Sequence, residues 1–107
     1  MDEDLIAQVK RKLCITYEDA DKHARIVSDI MPNAEQDVRD LLGIGSEAFS
    51  FSEPGTENML YLAHCYYEWN DCIDDFETNY APQIARCRDK WMVRQYAEEQ
   101  EASSSDV

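Results

Sequence analysis

Glycine and proline are scarce in this sequence, whose 107 residues include three of each. A β-sandwich or barrel of this length needs many turns, and turns favour these two residues, so their scarcity favours helices. Long apolar runs are also lacking. The longest stretches without a charged residue, 58–67 and 78–85, are far shorter than the roughly 20 apolar residues that span a bilayer. We therefore predict an all-α protein without a membrane helix.

Basic residues are few as well. Ten Lys and Arg stand against 23 Asp and Glu, which gives a net charge of −13. A surface of this charge repels nucleic acid and anionic lipid, so ordinary DNA binding is disfavoured. The sequence opens Met1-Asp2-Glu3-Asp4, the reverse of the basic start of a secretory signal, which predicts synthesis in a cytoplasm.

The cysteines are too scattered for a zinc ribbon or a thioredoxin-like redox motif, because no C-x-x-C pair occurs. They are Cys14, Cys65, Cys72 and Cys87. Buried reduced thiols are the favoured interpretation, and two disulfides are the alternative. No cofactor is predicted.

Hydrophobic residues make up 44% of the chain and charged residues 31%, an ordinary balance for a folded domain. A chain of this length buries only about 60–65% of the surface that its unfolded form exposes. The core is therefore expected to be thin, and burial against other copies or partners is expected to supplement it.

Two helices are predicted in the first 43 residues. The first runs from Glu3 to Leu13 with one apolar face, and Cys14-Ile15 is interpreted as a short extended link. The segment Thr16-Tyr17-Glu18-Asp19 is close to a capping box and predicts the start of a second helix. Pro32 is expected to bend that helix, and Gly43 to end it.

An irregular loop follows, at about 43–55, with Phe49 or Phe51 expected in the core. The alternation over 49–52 leaves open a short strand that pairs with a neighbouring subunit. Pro54-Gly55-Thr56 predicts the start of a third helix, which carries apolar residues around much of its circumference. That second apolar side needs cover from other helices or from another copy.

A last helix is predicted with Asn79 as its cap, Pro82 in its first turn, and an inner stripe of Ile84, Cys87, Trp91 and Tyr96. The fold class is thus a small bundle of four to five helices. The domain is assigned to residues 1–97, and 98–107 to an acidic tail expected to be disordered.

Constellations that carry chemistry are weak. His64 and Glu68, with Asp71 or Asp75, form a possible metal site, but no H-E-x-x-H pattern accompanies them and a helix-surface pair is favoured. His64 and Cys65 are adjacent on a helix and point about 100° apart, which argues against a nucleophile–base pair. No catalytic or metal-binding residue is predicted.

Aromatic and basic side chains in the second half of the chain are interface-type residues. The predicted contacts with partners or sister subunits are Phe49, Phe51, Tyr66, Tyr67, Trp69, Tyr80, Arg86, Arg88, Lys90, Trp91 and Arg94. In so acidic a chain the basic members favour ion pairs between subunits over contacts with DNA.

The order of five short motifs, taken together, resembles the head-tail connector proteins of long-tailed bacteriophages, over roughly Leu5 to Tyr96. The motifs are Leu13-Cys14-Ile15-Thr16, Leu41-Leu42-Gly43-Ile44, Pro54-Gly55-Thr56-Glu57, Tyr66-Tyr67-Glu68-Trp69-Asn70 and Phe76-Glu77-Thr78-Asn79-Tyr80. No single motif is distinctive, and their joint order and spacing carry the resemblance.

The resemblance implies a non-enzymatic virion protein that forms a ring, typically of twelve copies, at the head-tail junction. Its implied partners are sister copies, the portal protein, and a stopper or tail-terminator protein. Phage DNA would pass through the channel without sequence-specific binding, and an acidic channel wall would keep it from sticking.

Two other classes of function stay open. A small acidic decoy would present rows of carboxylates that imitate DNA phosphates and block a host nucleic-acid-binding protein. An enzyme is the third possibility, and a metal- or thiol-dependent activity abolished by His64→Ala would favour it.

Overall fold

The protein is a bundle of helices. The computed structural model describes residues 3–16, 19–45 and 49–105, with side chains through residue 98. Six α-helices lie in this part of the chain: α1 (Glu3–Lys12), α2 (Ala20–Arg25), α3 (Met31–Leu42), α4 (Thr56–Trp69), α5 (Phe76–Asn79) and α6 (Ala81–Ser105). A π-helical turn (Ile26–Ile30) joins α2 to α3, and a 3₁₀ turn (Ile73–Asp75) precedes α5. None of the described residues forms a strand, which confirms the predicted all-α class.

Helix α4 lies at the centre of the bundle and packs against α1, α3, α5 and α6. Leu60, Tyr61, Ala63 and Cys65 of α4 are fully buried. The predicted apolar circumference of this helix is therefore covered mainly by other helices of the same chain. The shared core that results is continuous, since hydrophobic residues from every helix except α2 contribute to it.

Three helices end in the same way, with a left-handed residue after the last turn. Cys14, Gly43 and Asp71 have φ angles of 61°, 72° and 58°. In each case this residue donates its amide to the carbonyl three residues back, and the next amide donates to the carbonyl five residues back at 2.9 Å. These are Schellman motifs, which satisfy carbonyls that the helix end leaves free. The extended link predicted at Cys14 is thus wrong.

The second helix begins later than predicted. Asp19, with extended φ and ψ of −148° and 113°, accepts the amide of Lys22 at 3.0 Å and caps α2. Aspartate is at least as good an N-cap as threonine, and Asp19 takes the role that was predicted for Thr16. Tyr17 and Glu18 lie outside the described residues.

Pro32 acts differently from a simple interior proline. It lies in the first turn of α3, directly after the π-helical turn, and the amide of Met31 donates to the carbonyl of Ile26. In a regular α-helix the proline ring would clash with the carbonyl four residues back. The wider π-helical turn lies directly before Pro32, at the place where this clash would occur.

The predicted loop is confirmed, and Phe51 is buried within it. Residues 49–52 form no strand within the chain; the hydroxyls of Ser50 and Ser52 lie 2.6 Å apart, and 51–52 form a turn. The loop is tied down by Asn58, whose side-chain amide donates to the carbonyl of Phe51, and by Arg39, which donates to that of Phe49.

Helix α6 departs from prediction in three respects. Asn79 ends α5 and does not cap α6, since the carbonyl of Tyr80 accepts the amide of Ile84 instead. Tyr96 is exposed, outside the predicted inner stripe. The segment expected to be a disordered tail is helical as far as Ser105, continuing the good helix formers before it.

Because α6 is 25 residues long, it measures about 37 Å and outruns the other helices. The structure consequently measures 57 × 29 × 20 Å. No helix in the described ranges combines the length and the apolar character needed to cross a bilayer.

Candidate interaction surfaces

Three of the residues predicted at an interface belong to the interior. Phe49 meets both Phe51 and Trp91 edge to face, at centroid distances of 5.2 and 5.1 Å, and Phe51 stacks on Tyr61 at 4.9 Å. Phe51 and Trp91 are buried, and Phe49 is half-buried. These rings hold the loop against α4 and α6, so they position surfaces without forming one.

A second aromatic cluster surrounds α5. Tyr67, Phe76 and Tyr80 lie 5.4 to 5.9 Å apart between ring centroids, and Asn79 donates to the hydroxyl of Tyr67. Burial and the neighbouring Tyr67 raise the pKa of Tyr80. Trp69 is half-buried with the guanidinium of Arg25 at 4.6 Å from its ring. The predicted interface tyrosines here chiefly hold α5 against α4.

The basic residues of α6 divide between two sides of the helix. Arg86, Lys90 and Arg94 follow each other at steps of four and share a face, whereas Arg88 lies on another. Lys90 pairs with the buried carboxylate of Glu57 on α4, and Arg94 lies 4.8 Å from the centroid of the Trp91 ring. Two of the four predicted bases are thus engaged within the chain, and Arg86 and Arg88 are exposed.

Exposed apolar side chains concentrate on the outer end of α6. Met92, Val93 and Tyr96 are 61, 69 and 64% exposed. With about 100° per residue, all three lie 100–200° around the helix from buried Trp91, on its outward side. We call these three residues the α6 stripe. Sequence reasoning missed Met92 and Val93, although two apolar residues directly after an inward tryptophan are a readable sign of a second apolar face.

A second exposed apolar patch lies on α4. Met59 and Tyr66 are 37 and 41% exposed, and half-buried Leu62 lies between them on the same face of the helix. We call Met59, Leu62 and Tyr66 the α4 stripe. Among side chains the structure describes, the α6 and α4 stripes contain all the large hydrophobic residues that remain exposed.

Positive charge borders the α4 stripe. The ammonium of Lys12 lies 5.7 Å from the centroid of the Tyr66 ring, and Arg11 and Lys12 line one groove together with Leu62. Both bases are exposed, and no carboxylate in the described ranges forms an ion pair with either. Lys10-Arg11-Lys12 is also the only run of three consecutive bases in the sequence.

An acidic groove of about 390 Å³ lies on another side, between α3 and the segment 73–77. Asp37, Asp40, Asp74 and Glu77 line it, with His64 at its base. The arrangement gathers carboxylates from two distant parts of the sequence.

His64 is buried, contrary to the helix-surface pair with Glu68 favoured from the sequence. Its Nε2 lies 3.0 Å from Oδ2 of Asp37, whereas Asn33 donates to Glu68. Within the described ranges, no three or more His, Cys, Asp or Glu side chains are grouped so as to hold a metal ion.

Comparison with known proteins adds no identity to these surfaces. No family model, no curated protein and no solved structure matches this chain.

Proposed function

We propose that this chain is a non-enzymatic structural subunit of a phage virion, which assembles as an oligomeric ring between the portal and the tail or stopper and extends the DNA channel there. The observation that carries the proposal is the α6 stripe: three large apolar side chains on the outward side of a helix that outruns its own bundle. Exposed apolar surface of this kind is typical of protein–protein contact sites. The motif order described above supplies the phage context.

Charge and shape support the same role. A net charge of −13 suits a subunit whose ring surrounds DNA that must pass without binding, because a negative wall repels phosphate. An elongated subunit with a protruding helix can contact neighbours above, below or beside it. The adaptor ring would be made in the bacterial cytoplasm and would act at the head-tail junction of the virion.

The experiment is to delete the gene in the phage that carries it and to complement it in trans. We expect filled heads and free tails that fail to join, and recovery of infectious particles by the wild-type chain. A chain with Val93→Asp and Tyr96→Asp should fail to complement, whereas the matched acidic change Ala20→Asp with Ala24→Asp, at exposed positions of α2, should complement. Normal yields of complete particles after deletion would refute the proposal.

The acidic groove favours a second candidate, a decoy for a nucleic-acid-binding protein. Four carboxylates, from Asp37, Asp40, Asp74 and Glu77, line one concave surface, and they concentrate negative charge there as DNA phosphates do. A decoy would bind a basic host protein in competition with duplex DNA and would lose that binding on Asp37→Asn with Asp74→Asn. The adaptor would assemble normally with the same two substitutions.

A further inference from the structure

The exposed large apolar side chains that the structure describes form two patches, and the charges near the two patches differ. The α4 stripe lies beside Arg11 and Lys12 of α1. The α6 stripe is followed by residues 98–107, which include four acidic residues and no base. A chain with this distribution repels itself overall and yet contains one local pair of complementary surfaces.

The two patches belong to different parts of the bundle. Helix α1 packs against α4, whereas α6 packs mainly against α3 and also meets α4 and α5. Among the described side chains of α6, the last deeply buried one is Trp91, and 14 further helical residues extend about 21 Å beyond it. Among the same side chains, the last hydrogen bond to another part of the bundle runs from Gln95 to the carbonyl of Gly43.

We infer that the outer end of α6 docks on the α4 stripe of a second copy of this chain, with Met92, Val93 and Tyr96 against Met59, Leu62 and Tyr66 and with Glu98 beside Arg11 and Lys12. The inference rests on the proposed ring and specifies the contact that builds it.

Charge complementarity favours a second copy of this chain as the partner that binds the α4 stripe. Arg11 and Lys12 are exposed bases without an ion pair in the described ranges. The sequence after Tyr96 contains four acids and no base, and Glu98 among them forms an exposed pair with Arg94. Apolar burial then supplies affinity, and the flanking charges set the orientation. Each copy offers one donor surface, the end of α6, and one acceptor surface, the α4 stripe.

A contact between two different surfaces is heterologous. It leaves a free donor on one copy and a free acceptor on the other, so further copies add until a ring closes or a filament grows. A single contact of three side chains on each side is small compared with the roughly 800 Å² per partner of a standard interface, so each contact alone should be weak. Closure of the ring then stabilises the assembly by making the last contact intramolecular.

The test is a complementation of two defective variants by analytical ultracentrifugation. The donor variant combines Val93→Asp with Tyr96→Asp, and the acceptor variant combines Arg11→Glu with Lys12→Glu. A control for the added negative charge combines Ala20→Glu with Ala24→Glu, at exposed positions of α2. Circular dichroism confirms that each variant is folded.

We expect the wild-type chain and the control to self-associate as concentration rises to about 1 mM, and each defective variant to associate at least about tenfold more weakly. An equimolar mixture of the two defective variants should form a species of about twice 12.4 kDa and nothing larger, because only one intact donor and one intact acceptor remain per pair. Added salt should weaken the wild-type association partly, since only the charged part is screened.

Three results would overturn the inference: a wild-type chain that stays monomeric to about 1 mM, defective variants that associate like wild type, or a mixture that forms no heterodimer. None of these results bears on the gene-deletion phenotype, so the adaptor role stands or falls separately. Conversely, self-association through these surfaces in a chain whose loss leaves virions complete would uphold the contact and refute the adaptor.

Discussion

Removing Lys90 should destabilise the fold through the carboxylate that it leaves behind. Glu57 on α4 is buried, accepts from Lys90 and lies 3.4 Å from Sγ of Cys87, so this group joins α4 to α6. A hydrogen bond to a charged group contributes about 1.5–3 kcal/mol, but an exposed ion pair only about 0.2–1. The side chain of Lys90 is 61% exposed and that of Glu57 only 11%, which places the pair between these ranges. We expect Lys90→Ala to cost about 1–2 kcal/mol, since a buried carboxylate then keeps only its thiol partner.

The substitution Glu57→Gln should cost less, about 1 kcal/mol or below, because a neutral amide can still accept from Lys90. Urea unfolding at pH 7 of the two single variants and the double variant gives the coupling energy, which we expect near 1 kcal/mol. The matched control is Arg86→Ala, four residues earlier on the same face of α6, where the exposed fraction is high and the expected change is within about 0.5 kcal/mol.

The pH dependence of the same pair has a definite sign. Burial alone would raise the pKa of Glu57, but hydrogen bonds from Lys90 and Cys87 outweigh it and hold the pKa below its usual 4.5. Stability from a group with a lowered pKa is present above the unfolded value and is lost as the pH falls through the folded value. The stability difference between wild type and Glu57→Gln should therefore be constant near neutral pH and shrink below about pH 4.5. If Lys90→Ala cost no more than Arg86→Ala, or if that difference grew in acid, the reasoning would be wrong.

Three further predictions concern the backbone, the thiols and the core. Cys14 and Gly43 both have positive φ, which favours glycine. In urea unfolding, Cys14→Gly should therefore stabilise the fold by up to about 1 kcal/mol, and Gly43→Ala should destabilise it by about the same amount. A Cβ at Gly43 meets nothing within 4 Å, so the cost there comes from the backbone conformation alone. With iodoacetamide at pH 8, exposed Cys14 should react before the buried thiols. Burial raises the pKa of Cys65 to about 12, and burial together with the neighbouring Glu57 raises the pKa of Cys87 to about 11. If Cys65 and Cys87 reacted as fast before denaturation as after it, the prediction would be wrong. Phe51→Ala should cost about 3–5 kcal/mol, against about 1 or less for Tyr66→Ala, because the first removes a buried ring and the second an exposed one; equal losses would refute the assignment of the core.

Periodicity predicted most of the helices and little of how they end. The apolar spacing gave α1 nearly correct bounds, since one face of this helix meets the core, and Pro54-Gly55-Thr56 gave the correct start of α4. Helix ends depend on single backbone conformations. Gly43 was readable because glycine adopts positive φ freely, whereas the same conformation at Cys14 has no signature in the residue type.

The predicted interface illustrates the same division. Residue types marked aromatic and basic side chains as contact formers, but the type alone does not say whether the partner is another helix or another protein. Trp91 and Phe51 found their partners inside the chain, whereas Tyr66 is half covered and half exposed. The α6 stripe was not predicted, because apolar spacing shows which side of a helix is apolar but not which of its turns have other helices beside them.

Composition and spacing by themselves determined that this chain is helical and acidic, because helix formation and charge depend on local sequence. Tertiary structure alone decided which apolar residues remain exposed, since burial depends on where distant segments cross. His64 lies in the interior because Phe76 packs against its ring and Asp37 of α3 contacts its Nε2. Met92, Val93 and Tyr96 are exposed because they lie on the side of α6 that faces away from the bundle.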